Sequence, residues 1–451
     1  MTALPGWASR AAAALEEARE RTLSLVRGLS DEALRRQHSS LMSPVVWDLG
    51  HVANYEEQWL VRALGAPPVA SPEIDTLFDA VRHPRSTRER LALPSPAAAF
   101  EYLAAVRART LEWLERISSG RALVPAAAEG LVREGFVWGM VAQHEHQHAE
   151  TLCAALQLMT DPPWSAPEDP PFAKPNPRRE VDPRAEVFVP AGPCRIGTRT
   201  DPWAYDNERG EHEVEVPAFY LDRHPVTCGR YLEFIEDGGY RRRELWSDEG
   251  WAHVQREGLA SPLFWERSAR SGSGASGRWV RRRFGTVEPI PLDEPVMHVC
   301  WYEAAAFARW SGRRLPTELE WEKAASWDPR TAARRRYPWG DEAPTPQRAN
   351  LWTGRFGPLP IGSHPEGASA VGCEGMLGDV WEWTASEFRP WPCFAAFPYD
   401  EYSALHFGPR YRVLRGGAWA THPLTMRNTF RNWDFPIRRQ IFAGFRCARD
   451  G

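Results

Sequence analysis

Apolar residues recur at every third or fourth position through four long stretches of the first 160 residues, and this spacing predicts helices. Residues 8–28 carry Ala, Leu and Val at that spacing, with Glu and Arg between them. Pro44 opens a second stretch, SPVVWDLGHVANYEEQWLVRAL, which stops near Gly65 and the Pro67–Pro68 pair. A third runs through PAAAFEYLAAVRARTLEWLERI, and a fourth covers about Leu131 to Met159. Four long helices joined by loops predict an all-α four-helix bundle over residues 1–160. Residues 161–185 begin DPPWSAPEDPPFAKPNPRREVDP, dense in proline and without apolar period, and read as an interdomain linker.

The texture changes at about residue 186. Short apolar runs (EVFVPAG, YRVLRGGAW, FAGFRCAR) are separated by Gly, Pro, Asn and Trp. Helical spacing returns in TCGRYLEFIEDG, and in WYEAAAFARWSG followed by PTELEWEKAAS. Residues 186–451 are therefore expected to form an α+β domain with much irregular chain, held by buried aromatics. SGSGASG (271–277) reads as a loop.

Composition narrows the function classes. The 451 residues exceed one ordinary core, in line with two domains. A formal net charge of −4 with no basic block gives no support to a nucleic-acid or anionic-membrane partner. The first residues lack the apolar core of a signal peptide, and no later run approaches a membrane span. Seven cysteines, an odd number, are scattered and never spaced CxxC. That usage suits a cytoplasmic location and argues against both a disulfide scaffold and a thiolate zinc cluster. The 22 tryptophans stand out without an explanation at this level.

Candidate chemistry concentrates in QHEHQHAETL, residues 143–152. On a helix, Val137, Val141, His144, His148, Leu152 and Ala155 form one stripe facing the bundle interior. His144 and His148 are one turn apart, close enough to share a metal ion. His146 points roughly 160–200° away and is a poor ligand. His51, in WDLGHVANYEE, could lie opposite and complete a three-His facial site with open positions. The ligand set by itself decides neither for zinc nor for iron, and a pair of hydrogen-bonded core histidines is the plainer alternative.

The stretches LMSPVVWDLGHVANYEEQWL, HEHQHAETL and RNTFRNWDFPIRRQIFAGFRCAR resemble the sulfoxide synthases of ergothioneine biosynthesis, across nearly the whole chain. These are non-haem iron enzymes. The resemblance implies a DinB-like bundle followed by a domain of formylglycine-generating-enzyme fold, itself related to C-type lectins. FYLDRHPVT, RRLPTELEWEKAA, YPWGDE, GDVWEWTAS and VLRGGAW are marks of the latter. GGAWATHPLTMRN lacks the cysteine pair of formylglycine-generating enzymes, so sulfatase maturation is not expected. Fold alone does not give function.

The family's HxxxHxE motif falls on His144, His148 and Glu150, with His51 upstream, and implies Fe(2+). The implied reaction joins a thiol to C2 of hercynine (trimethylhistidine) with O2 and leaves a sulfoxide. In FPYDEYS, Tyr399 matches the family's proton-donating tyrosine and Tyr402 its substrate-contacting one. Gln147, Asn432 and Trp433 match further hercynine contacts; an aromatic face suits a quaternary ammonium. The implied thiol partner is γ-glutamylcysteine, with Asp434 and Arg438 matching the residues for its glutamyl end. Arg85 and Arg88 match the pair for the cysteinyl carboxylate, since arginine forks suit carboxylates.

Three rivals stand beside this reading. A selenoneine synthase would join hercynine to a neutral selenosugar, for which the charged set has no evident use. A zinc-dependent DinB-like thiol transferase would leave the second domain idle. A lectin-like binding module would hold no metal. The roles of Asp48, Glu150 and His146 stay open at this level.

Overall fold

A computed structural model describes residues 5–160, 166–167, 181–268 and 277–451. The chain forms two compact units, Met1–Ser165 with Thr200–Trp203, and Ala166–Arg199 with Ala204–Gly451. Most of the proline-rich segment, and residues 271–276 of the SGSGASG stretch, lie outside the described residues.

In the first unit the four periodic stretches are helices: α1 (Gly6–Val26), α2 (Val45–Glu56), α3 (Pro96–Ser118) and α4 (Phe136–Leu158). Helix α1 packs on α4, and α2 lies against both α3 and α4. Helix α3 starts where its sequence says it should. Ser95 caps it by accepting from Ala98 N–H at 3.2 Å, and Pro96 fills the first turn, where no N–H is needed.

Two boundaries differ from the periodicity. Helix α4 begins at Phe136, because Glu134 (φ 53°) and Gly135 (φ 74°) are both left-handed and break the helix ahead of it. Helix α2 ends at Glu56 and widens into a π-type turn over Glu57–Arg62, in which Ala63 N–H donates to Gln58 O.

The single apolar stripe expected on α4 is also too narrow. Gln143, Glu145 and His146 are buried as well. Glu145 is buried because it belongs to a four-charge cluster that ties all four helices together. Arg19 Nε donates to Glu145 Oε1 at 2.7 Å, and Arg19 Nη2 to Glu56 Oε2 at 2.8 Å. Arg107 donates to both Glu56 oxygens, at 2.8 and 2.9 Å, and to Glu145 Oε2 at 2.9 Å. Each arginine also donates to a backbone carbonyl on the other's helix, Arg19 to Leu103 O and Arg107 to Leu15 O. Two cations and two anions thus balance, which is the condition for keeping charge inside a core.

The second unit is α+β. Strand β1 (Glu186–Val189), β2 (Phe219–Asp222), β3 (Trp381–Phe388), β4 (Gly408–Arg415), β5 (Asn432–Asp434), β6 (Ala443–Gly444) and β7 (Ala448–Asp450) form two of its sheets. One sheet runs β1-β2-β7 and the other β5-β4-β3-β6, antiparallel except for β3 with β6. Helices α5 (Cys228–Glu236), α6 (Asp248–Glu257), α7 (Trp301–Trp310) and α8 (Glu318–Ser326) pack around them. In α8 the sequence PTELE makes a capping box between Thr317 and Glu320.

Several of the tryptophans pair a buried or half-buried ring with an indole N–H donated to a backbone carbonyl. Trp383 Nε1 donates to Val299 O at 3.0 Å, Trp301 Nε1 to Thr384 O at 2.8 Å, and Trp246 Nε1 to Gly239 O at 3.0 Å. Trp321 Nε1 donates to the buried Glu382, which also receives Arg446. None of the seven cysteines is in a disulfide, and among the described residues no helix is long and apolar enough to cross a membrane.

Candidate metal centre and active-site residues

Helix α4 presents His144 and His148 on one face, and α2 brings His51 against them. One ring nitrogen from each lies within 4.8 Å of the others. Ring centroids are 4.6 Å apart for His144 and His148, 5.1 Å for His51 and His144, and 4.8 Å for His51 and His148. Burial holds the pKa values of His51 and His144 well below the ordinary histidine value, and the other imidazoles add to the effect. Both are therefore neutral, with a lone pair available, and the donor set fits a metal ion.

The surroundings orient each ring. His51 Nδ1–H donates to Phe78 O at 2.8 Å, which leaves Nε2 as the nitrogen with a lone pair. Gly50 makes room for the buried Phe78 ring, since a Cβ there would sit 2.1 Å from Phe78 Cζ. Trp47 stacks on His51 at 4.7 Å, and Tyr55 on His144 at 3.8 Å. Asp48, buried on α2, places Oδ1 3.3 Å from His148 Nδ1. The sequence left Asp48 without a role; the structure places its carboxylate beside a ring nitrogen of His148.

His146 faces elsewhere, with Nδ1 3.5 Å from Arg21 Nη1 on α1. Glu150 acts electrostatically on Arg21 and Cys153. Gln147 is half-buried on α4 between the two histidines in sequence.

Arg85 and Arg88 share the short turn Arg85–Arg90, and the charges of both are felt at His51. Arg88 is buried and lies 3.4 Å above the Trp47 ring, donating to Ser43 Oγ at 2.6 Å and to His83 O at 2.9 Å. Burial lowers its pKa to about 9, against the attraction of Asp48. It stays cationic at neutral pH.

In the second unit, Tyr399, Tyr402 and Trp433 form one aromatic group. Tyr399 and Tyr402 are 6.3 Å apart, edge to face, and Tyr402 meets Trp433 at 5.8 Å and 84°. Trp433 lies flat on Phe388, 4.1 Å away, at the end of β3. Strand β5 pairs with β4, Trp433 opposite Val413, and the pleat alternates Trp433 with Asn432 and Asp434. Asn432 Oδ1 accepts from Trp433 N–H. Asp434 Oδ2 lies 3.4 Å from Arg438 Nε, so an anion and a buried cation stand side by side. Sequence reasoning missed two neighbours of this group, Tyr205, stacked on Tyr402 at 4.2 Å, and His406, 5.6 Å from Trp433. Neither sits in a motif, and only the fold brings them there.

Comparison with known proteins gives matches to both halves. Residues 14–152 match the DinB superfamily, and residues 171–451 match the sulfatase-modifying factor enzyme 1-like domain. The chain is 48% identical over 440 residues to a hercynine oxygenase of Mycobacterium tuberculosis, covering 97% of each chain. It is 48% identical to a hercynine oxygenase of Mycolicibacterium thermoresistibile, covering 97% of this chain and 94% of the other. A formylglycine-generating enzyme of Streptomyces coelicolor is 31% identical over 63% of this chain and 96% of its own.

Proposed function

The chain belongs to the hercynine oxygenase family, and from that premise we propose that it joins the thiol of γ-glutamylcysteine to hercynine. The reaction uses O2 and an iron(II) ion held by His51, His144 and His148. The C2–H and S–H bonds are lost and a C2–S bond forms; one oxygen atom ends on sulfur and the other leaves as water. Bound iron supplies the redox chemistry with O2 and open positions for the reactants. The observation that carries the metal assignment is the convergence of three imidazole nitrogens within 4.8 Å.

The other steps fall to this chain's side chains. Tyr399 is the proton donor to the reacting oxygen. Tyr402 and Trp433 offer two nearly perpendicular aromatic faces, suited to a trimethylammonium that cannot donate a hydrogen bond. Asn432 and Gln147 supply polar contacts to hercynine. The glutamyl end of the thiol substrate carries an ammonium and a carboxylate, the complement of Asp434 beside Arg438. Arg85 and Arg88 take the cysteinyl carboxylate, and the persistence of charge on the buried Arg88 supports this use. A neutral selenosugar would use neither charged group. The unpaired thiols accord with a cytoplasmic location.

Metal analysis of protein purified without oxygen tests the metal assignment. Iron close to one per chain is expected, bound in wild type and lost when His51 is replaced by alanine. Zinc in its place would favour a thiol transferase, and an empty protein would favour a binding module.

A further inference from the structure

We propose that the turn at residues 205–208 is a positioning device, in which Asp206, with Tyr205 and Asn207, fixes where Tyr399 and Tyr402 stand. The inference rests on the assignment of Tyr399 as proton donor. These four residues, YDNE, lie nearly two hundred positions before the tyrosines and carry no motif that points to them.

The contacts are all made to the two ends of the tyrosine loop. Asp206 Oδ2 accepts from Phe397 N–H at 3.3 Å, two residues before Tyr399. Asp206 Oδ1 accepts from the hydroxyl of Ser403, the residue after Tyr402. Asn207 Nδ2 donates to the same Ser403 oxygen at 3.0 Å. Tyr205 lies flat on Tyr402, 4.2 Å away and 18° from parallel. Asp206, Asn207 and Ser403 are buried.

The turn also holds the strand that carries Trp433. Asn207 O accepts from Arg431 Nη1 at 3.0 Å, and Glu208 accepts from Arg427 and Thr429. One short segment therefore sets the tyrosine loop and the approach to β5 in register. A half-buried tyrosine on a loop has several rotamers and backbone states open to it. Anchoring the loop at both ends removes most of them, which is how preorganisation is obtained away from regular structure.

A double-mutant cycle on the full-length, iron-loaded enzyme tests this. If Asp206 acts through Tyr399, Asp206→Ala lowers kcat by on the order of 10- to 100-fold, the scale of a misplaced reacting group. In a Tyr399→Phe background the same change then has no further effect, within about twofold. Rescue by Asp206→Asn is partial, and iron content matches wild type. Independent, multiplicative losses overturn the proposal, as does an Asp206→Ala enzyme with undiminished kcat. Ser403→Ala removes the same anchor from the loop side and serves if Asp206→Ala does not fold. Full turnover by Tyr399→Phe alone sinks the proton-donor reading instead. The cycle is then run against Tyr402→Ala with hercynine KM as readout, where coupling supports the anchor and independence overturns it.

Discussion

Asp48 Oδ1 lies 3.3 Å from His148 Nδ1, inside the bundle and one helix away from the histidine it faces. A carboxylate held at Nδ1 would leave the other ring nitrogen of His148 for a metal ion. Replacing Asp48 with asparagine keeps the shape and removes the charge. Metal affinity should fall about 10- to 100-fold, the usual cost of losing such a partner. Competition with a chromophoric chelator, using cobalt(II) as a probe, measures it; unchanged affinity would remove Asp48 from the metal site.

His146 and His148 are two residues apart and should behave oppositely. His148→Ala abolishes stoichiometric metal binding, whereas His146→Ala retains it, because His146 faces Arg21. Elemental analysis of the two purified variants reads the contrast. Metal lost with His146 and kept without His148 would reverse the ligand assignment.

These two cases mark what the sequence makes legible. An i, i+4 histidine pair declares its common face through helical spacing alone, and the same arithmetic puts His146 on another face. Asp48 is three residues before His51, and nothing in that spacing connects it to His148; the link exists only once α2 lies on α4. Glu145 was still less legible. A glutamate between histidines reads as solvent-facing, and only the meeting of Arg19 and Arg107 on two other helices makes it a core residue. Strands β1, β4 and β6 of the second unit overlap the apolar runs EVFVPAG, YRVLRGGAW and FAGFRCAR, whereas Tyr205 and Asp206 reach the tyrosine loop purely through topology.

The charge cluster in the bundle should be costly to unbalance and cheap to remove in pairs. Arg107→Met leaves Glu56 and Glu145 sharing one arginine, and is expected to lower stability by about 3–5 kcal/mol. Adding Glu145→Leu should recover much of that loss, since Arg19 and Glu56 remain as a pair. Denaturant unfolding of the bundle signal measures both; equal losses in the single and double variants would contradict the account.

His298 should make the second unit sensitive to acid. It is buried at φ 63°, its Nδ1 3.1 Å from Arg439 O, and burial lowers its pKa to about 3. The unfolded chain takes up the proton near pH 6.5, the folded one only near pH 3, so this contribution to stability is present above pH 6.5 and lost as pH falls toward 3. At pH 5 the loss from this group is about 2 kcal/mol. His298→Asn, which tolerates the left-handed backbone, should flatten the pH dependence of the melting temperature between pH 7 and 5. An unchanged slope would assign the acid sensitivity elsewhere.

The pairing of Asp434 with Arg438 leads to the most direct test. Iron(II)-loaded protein in air is offered hercynine together with γ-glutamylcysteine, cysteine and a selenosugar, and products are resolved by mass. The account predicts that hercynine is consumed with γ-glutamylcysteine to give the C2-linked sulfoxide, carrying one oxygen atom from O2. Coupling to the selenosugar alone, or hercynine left intact with every donor, would contradict it.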